Sequence, residues 1–361
     1  MVAAKVIGVF IIVFIGFLAC KVGWLPVKSA VYLSRIVLFI ACPCVLFLAI
    51  ARQEYSSSSL HTMLTLMAVS TVLYVLSYAM GFLFCRAARV PRDETAMYVN
   101  FFATPNNGFI GIPVALAVFG QPVLFMIALL NMIQAFFLYS LGTYLLRTRS
   151  GGGTAKDGAG REDCGKGIAA TVVTEEVAGP TAATVGIETA TNPAATIARR
   201  GAVQILKDFF LPPVVGCLVG VVFFIFRIPV PDAVAGVLES VGSMMTPLCM
   251  MFIGIQLTES SPRRLFANRR LLAASIFRLI IIPAIFFVIL LPMYLAGVPI
   301  RIGPLFLCAI IINFMTPIGA ALPPLAGIYG GSVRLASEGV FLSTLMSMFT
   351  IPVASVLLEM I

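Results

Sequence analysis

The chain has 361 residues, 60% of them hydrophobic and 11% charged, with a formal net charge of +9 and a mean hydropathy of +1.05. A soluble domain needs roughly 25% charged residues to cover its surface, so this composition excludes a set of soluble domains and defines a polytopic membrane protein. It also excludes a nucleic-acid-binding role, because no polar segment interleaves the basic excess with aromatics, and a barrel, because the apolar segments are long continuous runs rather than ~10-residue alternations.

A helix needs ~20 apolar residues to cross the hydrocarbon core. Runs of that size predict ten spans: 6–25, 30–51, 62–85, 96–119, 123–146, 209–226, 233–257, 271–296, 302–329 and 333–358. The first is read as an uncleaved helix: only Lys5 precedes it and no Ala-x-Ala site follows. Thr95 to Leu146 contains no charged side chain, and Gly120-Gln121-Pro122 supplies the turn between the two spans it holds. From Arg147 to Lys207 the composition shifts to Gly, Ala, Thr, Glu and Lys with almost no aromatics, starting at Gly151-Gly152-Gly153. Such a stretch buries too little apolar surface to offset its ordering entropy and is expected to be a disordered loop. It divides the chain into a first five-helix unit at 1–146, the loop at 147–207, and a second five-helix unit at 208–361.

The two units echo each other. Leu25-Pro26-Val27 follows the first span and Ile228-Pro229-Val230 the sixth; Pro43 lies inside the second span as Pro247 lies inside the seventh. The fourth span holds Thr104-Pro105 and then Pro113, ahead of Gly120. The ninth holds Thr316-Pro317 and then Pro323, at the same distance ahead of Gly330. With an odd number of spans in each unit, the second enters the membrane inverted, a plan common among secondary transporters. The expected architecture is all-α: ten transmembrane helices in a 5+5 inverted repeat, with helices 4 and 9 broken at a crossover.

Lys5, Arg52, Arg227 and Arg301 fall on one side of this topology. The other side collects Lys21, Lys28, Arg86, Arg89, Arg92, the basic residues of the long loop, those from Arg263 to Arg270, and Arg334. The positive-inside rule then places the long loop in the cytoplasm and both termini outside, with the plasma membrane favoured over the endoplasmic reticulum or another organelle.

The fourth and ninth spans are poor helices. Pro105, Asn106, Asn107, Gly108, Gly111 and Pro113 crowd one; Pro317, Gly319, Pro323 and Pro324 crowd the other. Proline removes a backbone donor and clashes with the preceding turn, and the freed groups cannot face lipid, so such segments line a cavity or lie buried in protein. Two broken helices meeting near the midplane would present half-helix N-termini with unpaired amides, an anion site without a charged side chain. Kinks of this kind also serve packing alone, but paired breaks at symmetric positions favour a site. Asn106 and Asn107 are the leading candidate donors to a carboxylate. Asn131 and Gln134, one turn apart in the fifth span, and Asn313, one turn before Thr316, either face the same cavity or bond neighbouring helices.

Arg35 and Arg278 read as snorkelling cations near the cytoplasmic ends of their spans, with Arg278, the deeper of the two, alternatively countering a substrate anion. Glu239 and Glu338 lie away from the midplane. Of eight cysteines, all but Cys164 sit in or beside apolar runs and read as small buried hydrophobes; the single histidine, His61, excludes histidine-based metal clusters. Cys42-Pro43-Cys44 is similar to the metal-passing motif of heavy-metal pumps, which require large soluble domains this chain lacks. No metal or other cofactor is expected, and no enzyme motif is present.

With these residues in place, the chain resembles the auxin efflux carrier family, which includes plant auxin exporters and bacterial dicarboxylate carriers. The resemblance rests on Thr104-Pro105-Asn106-Asn107-Gly108-Phe109-Ile110-Gly111-Ile112-Pro113, similar to that family's fourth-helix crossover. It rests also on Ala321-Leu322-Pro323-Pro324, Tyr329-Gly330 and Leu342-Ser343-Thr344-Leu345, similar to its last two helices, and on Pro352. It covers nearly the whole chain apart from the loop. It implies a scaffold and a moving transport domain, elevator-type alternating access, often in a homodimer, and contact between the asparagine matching Asn106 and the substrate carboxylate. The chain lacks the plant exporters' long hydrophilic loop sequences and a clear charged support site, so substrate identity does not carry over.

The function expected is export of a small organic acid anion, auxin-like or dicarboxylate-like, across the lipid bilayer, with Pro105, Asn106, Asn107, Pro113, Asn131, Gln134, Asn313, Pro317, Gly319 and Pro323 at the site. A sodium-coupled bile-acid-like symporter would need acidic groups near the crossover, and a receptor or regulatory subunit would need a docking arm in the long loop.

Overall fold

The computed structural model describes residues 2–150, 211–258, 268–296, 303–329 and 331–358. The expected disordered loop lies outside the described residues from position 151 onward, as do Cys164, Arg263, Arg301 and Gly330. Among the described residues every regular element is helical, and the one extended feature is an isolated antiparallel bridge between Pro105 and Ile318.

In the first unit, α1 (Val2–Lys21) carries the opening apolar run. Next, α2 (Ser29–Ile36) passes through a widened turn over Val37–Ala41 into α3 (Cys42–Ala51). The longest helix, α4 (Ser57–Ala87), starts at Ser56, whose hydroxyl accepts from Ser59 N at 3.0 Å, satisfying a donor that the first turn leaves orphaned. After α5 (Arg92–Ala103) the chain leaves helical geometry at Thr104–Asn106 and resumes as a widened turn, Asn107–Gly111, leading into α6 (Ile112–Phe119). Gly120 at φ 73 turns the chain, a conformation that disfavours any Cβ. Then α7 (Leu124–Phe137) runs through Leu138–Gly142 into α8 (Thr143–Ser150).

The second unit opens with α9 (Pro212–Phe226), its proline pair confined to the first turn where no donor is lost. It continues with α10 (Asp232–Ser243), α11 (Met245–Gln256) and α12 (Arg269–Ile276). A widened turn, Phe277–Ile281, joins α12 to α13 (Ile282–Ala296). Next, α14 (Pro304–Met315) stops at Thr316, α15 (Leu322–Tyr329) follows the interruption, and α16 (Val333–Leu358) completes the described chain.

Three of the four widened turns share one cause. Val37–Ala41, Asn107–Gly111 and Phe277–Ile281 each end two residues before a proline: Pro43, Pro113 and Pro283. The pyrrolidine ring collides with the carbonyl four residues back, so the helix widens to pass it. The residue before each proline bonds five residues back, Cys42 N to Val37 O, Ile112 N to Asn107 O and Ile282 N to Phe277 O. Such π-turns are rare and concentrate at functional sites.

Helices of the two units pack through glycine. On α1, a Cβ at Gly16 would lie 2.5 Å from Met251 O of α11, and one at Gly254 would strike Val13 O. On α9, a Cβ at Gly216 would lie 2.7 Å from Pro43 O of α3. Small residues let backbones approach where lipid offers no hydrophobic drive for association. Among the described residues six helices are long and apolar enough to cross a membrane: Tyr32–Ala51, Ser57–Ala87, Gln121–Thr148, Asp232–Gln256, Arg269–Leu295 and Val333–Ser355. Four other expected spans appear as shorter apolar helices, Ile11–Lys21, Asn107–Phe119, Pro212–Phe226 and Pro304–Met315, so length alone supports six of the ten spans. Large apolar side chains such as Phe14, Val72, Leu83, Phe226, Val288 and Phe349 remain exposed on the outside, as lipid contact requires.

Candidate functional site

The two helix interruptions meet inside the molecule. Asn106 N donates to Pro317 O at 2.9 Å and Gly319 N donates to Thr104 O at 2.8 Å, around the Pro105–Ile318 bridge. Pro105 and Pro317 cannot donate, so each interruption exposes carbonyls that need a partner, and each supplies the other. Gly319 is required by the closeness of the strands: a Cβ there would lie 2.9 Å from Thr104 Cγ2 and 3.2 Å from Pro105 O. The amide of Ile318 donates to Ser343 Oγ at 3.0 Å. The amides of Asn106, Ile318 and Gly319 are partnered at the bridge, as backbone donors this deep must be; those that open the widened turn, Asn107 to Phe109, take no part in this pairing.

Beside this bridge lies a chain of three buried carboxamides from three helical segments, ending on a tyrosine of a fourth. Asn107 Nδ2 donates to Gln134 Oε1 at 2.8 Å and also to Asn313 Oδ1. Gln134 Nε2 donates to Pro105 O at 2.5 Å, and Asn313 Nδ2 donates to the Tyr74 hydroxyl at 3.2 Å. Asn107, Gln134 and Asn313 are all buried. Both hydrogens of the Asn107 amide are committed inside the protein, which makes it a tie between α7 and α14 rather than an open donor in this conformation. Asn107 Oδ1 and Thr104 Oγ1 are buried without a partner.

Asn106 differs from its neighbour. Its residue is 5% exposed, and among the described residues its carboxamide has no hydrogen-bond partner, although its backbone amide is fixed on Pro317 O. Its carboxamide atoms are not among the fully buried polar atoms that lack a partner, so the side chain keeps a small opening through which it can donate to a carboxylate.

Of the remaining expected residues, Pro105 pairs with Ile318 in the bridge, Pro317 accepts from Asn106 N through its carbonyl, and Pro113 shapes the widened turn that carries Asn107. Asn131 is only half-buried and does not join the carboxamide chain. Pro323 occupies the first turn of α15, where proline is tolerated, so it does not open the ninth span; the interruption is Thr316–Ala321, before it.

Arg278 corrects a further expectation. Snorkelling would leave its head in water, but the residue is 0% exposed. Its Nη1 donates to Phe314 O, and the guanidinium lies 6.0 Å from the Phe314 ring. The residues that sequence reasoning missed are Tyr74 and Ser343, because a tyrosine or serine in an apolar helix gives no sign of which face it occupies. Arg35 is half-buried, and Glu239 pairs with Arg52 as Glu338 pairs with Arg334. Among the described residues no group of His, Cys, Asp and Glu is arranged to hold a metal ion.

Next to the second interruption, Val114, Ile312, Met315, Thr316, Ile351 and Ser355 line a cavity of about 10 Å³. That holds one water at most.

Apolar helices crossing as these do, with interruptions joined at a buried polar node, define a multi-pass integral membrane protein. Residues 1–355 match the family of membrane transport proteins, and the chain belongs to it; this is the family of auxin efflux carriers that the crossover motif resembles. An uncharacterized transporter of Methanocaldococcus jannaschii is 25% identical over 354 residues, covering 96% of this chain and 95% of its own. A second, from Methanothermobacter thermautotrophicus, is 23% identical over 354 residues, covering 98% and 97%.

Proposed function

We propose that this membrane transporter exports a small organic acid anion, auxin-like or dicarboxylate-like, by elevator-type alternating access, with the substrate carboxylate received at the meeting of the two interrupted helices. The observation that carries this reading is the Asn106 carboxamide: buried and unpartnered beside a node where the neighbouring amides are already bonded. Asn107, Gln134 and Asn313 hold the node together, and Pro105, Pro317 and Gly319 hold the two backbones at bonding distance.

A 5+5 inverted repeat of ten spans is part of the same proposal. The packing is reciprocal: α1 lies on α11, and α9, its counterpart in the second unit, lies on α3, the counterpart of α11. Both contacts use glycine against backbone. Two such pairs make a frame against which the crossing helices can shift, with termini outside and long loop in the cytoplasm of the plasma membrane.

The test is thermal stabilisation of the purified protein by a panel of mono- and dicarboxylic acids. Stabilisation by at least one acid, lost in Asn106→Ala, is expected. Equal stabilisation of wild type and Asn106→Ala would remove the site from this residue. A sodium-coupled symporter is the second reading, favoured by the unpartnered oxygens of Thr104 and Asn107; uptake that requires sodium decides for it.

A further inference from the structure

Arg278 is the only charged residue among the largest fully buried side chains, at 0% exposure. It sits in the widened turn Phe277–Ile281 that Pro283 imposes on the α12–α13 rod. Its Nη1 is spent on Phe314 O, one residue from Asn313 of the carboxamide chain. Its Nε and Nη2 are buried without any partner. Among the described residues its charge is met by no carboxylate, since the ion pairs there are Arg52–Glu239 and Arg334–Glu338.

A cation in this position has a bland role, and it fulfils it: Phe314 O belongs to the last turn of α14, where orphaned carbonyls and the negative end of the dipole attract a positive charge. One N–H suffices for that. The role does not explain why an arginine, rather than a neutral donor, is kept with two further donors idle and its charge unmatched. An ion in such surroundings carries a desolvation cost of several kcal/mol unless a counter-ion arrives. The idle groups are Nε–H and Nη2–H, which lie parallel along one edge of the planar guanidinium, the fork that matches the two oxygens of a carboxylate. Tyr74 connects Phe314 to the node. Its hydroxyl accepts from Asn313, and its ring lies 5.0 Å from that of Phe314, the residue whose carbonyl Arg278 holds.

We infer that Arg278 is the counter-charge of the transported anion, its free Nε–Nη2 edge taking a carboxylate when the helices around Phe314 part. This rests on the transporter reading and narrows it: the substrate must be a carboxylate in its ionised form, and neutral amides or esters of the same skeleton are rejected.

The experiment measures binding of matched acid and amide pairs, by thermal shift and by uptake into vesicles, for wild type, Arg278→Lys, Arg278→Gln and Asn106→Ala. Lysine keeps the charge and a donor for Phe314 O but lacks the fork; glutamine keeps a donor and lacks the charge. Arg278→Lys should bind the acid about tenfold more weakly. Arg278→Gln should lose the preference for acid over amide, a readout that a purely structural role would not move. Ligand-free melting temperatures report folding, and Arg278→Lys serves if Arg278→Gln does not fold. If both variants keep wild-type affinity and acid preference while Asn106→Ala loses binding, the inference fails and the transporter reading stands. If wild type neither binds nor transports any acid, the organic-anion reading itself fails.

Discussion

Asn106 and Asn107 are adjacent and chemically identical, yet the structure gives them opposite duties. Asn107 bonds Gln134 and Asn313 through one nitrogen, so Asn107→Ala should leave two buried carbonyl oxygens unpaired and lower stability by about 1–3 kcal/mol per orphan. Thermal unfolding without ligand measures this. Asn106 has no side-chain partner among the described residues, so Asn106→Ala should leave the melting temperature nearly unchanged. It should weaken substrate binding by about 1.5–3 kcal/mol, the range for hydrogen bonds to charged groups, which a titration of the stabilising acid reports. The reverse pattern, with Asn106→Ala unstable and Asn107→Ala normal in stability, would exchange their roles. Gly319→Ala belongs with Asn107: its methyl would press on Thr104 Cγ2 and Pro105 O and push the two interruptions apart.

Prolines act on helices in two ways here, and position decides which. Pro113 lies behind the widened turn Asn107–Gly111; alanine there removes the collision with the preceding carbonyl and lets the turn tighten to ordinary α geometry. Asn107 would then rotate away from Gln134 and Asn313, so Pro113→Ala should cut transport sharply in reconstituted vesicles. Pro323, in the first turn of α15, costs its helix little, and Pro323→Ala should transport at close to the wild-type rate. Equal loss in both variants would contradict this division. The interruptions themselves were legible from proline and asparagine spacing, since few other patterns place so many helix breakers at mid-span. What spacing could not show is that the amides of Asn106 and Gly319 pair across the bridge, because pairing between residues 104 and 319 depends on the register of two distant helices. Arg278 was misread for a related reason. A uniformly apolar helix has no polar face to orient it, so depth along the span was legible but direction around it was not. Pro283, which widens the turn holding Arg278, was visible in the sequence without its consequence being so.

For the whole molecule the proposed export needs a driving force. A proton or sodium relay ordinarily places Asp, Glu or His deep in the membrane, but the expected spans three, four, five, eight and nine carry no acid, and His61 lies near the start of α4. Glu239 and Glu338 are held by Arg52 and Arg334 at element ends. The unpartnered oxygens of Thr104 and Asn107 are neutral, and two neutral oxygens are a poor cage for a cation. An anion leaving a compartment that is negative inside gains about 2.3 kcal/mol per charge per 100 mV, equivalent to a roughly 45-fold gradient. We therefore predict electrogenic uniport. If Arg278 travels with the site, the loaded carrier is neutral and the empty one is positive. Each cycle then still exports one negative charge per monovalent anion, but voltage acts on the empty carrier as it returns toward the negative side. Making the inside more negative should speed turnover at saturating substrate without changing apparent affinity for the anion on the inner face. The measurement is current and substrate efflux across a reconstituted bilayer with no pH or sodium gradient, at several clamped voltages. Efflux that ignores voltage and stops without a proton or sodium gradient would replace uniport with coupled transport. Efflux with voltage acting on affinity rather than on turnover would instead place the moving charge on the anion itself, with Arg278 fixed outside the part that moves.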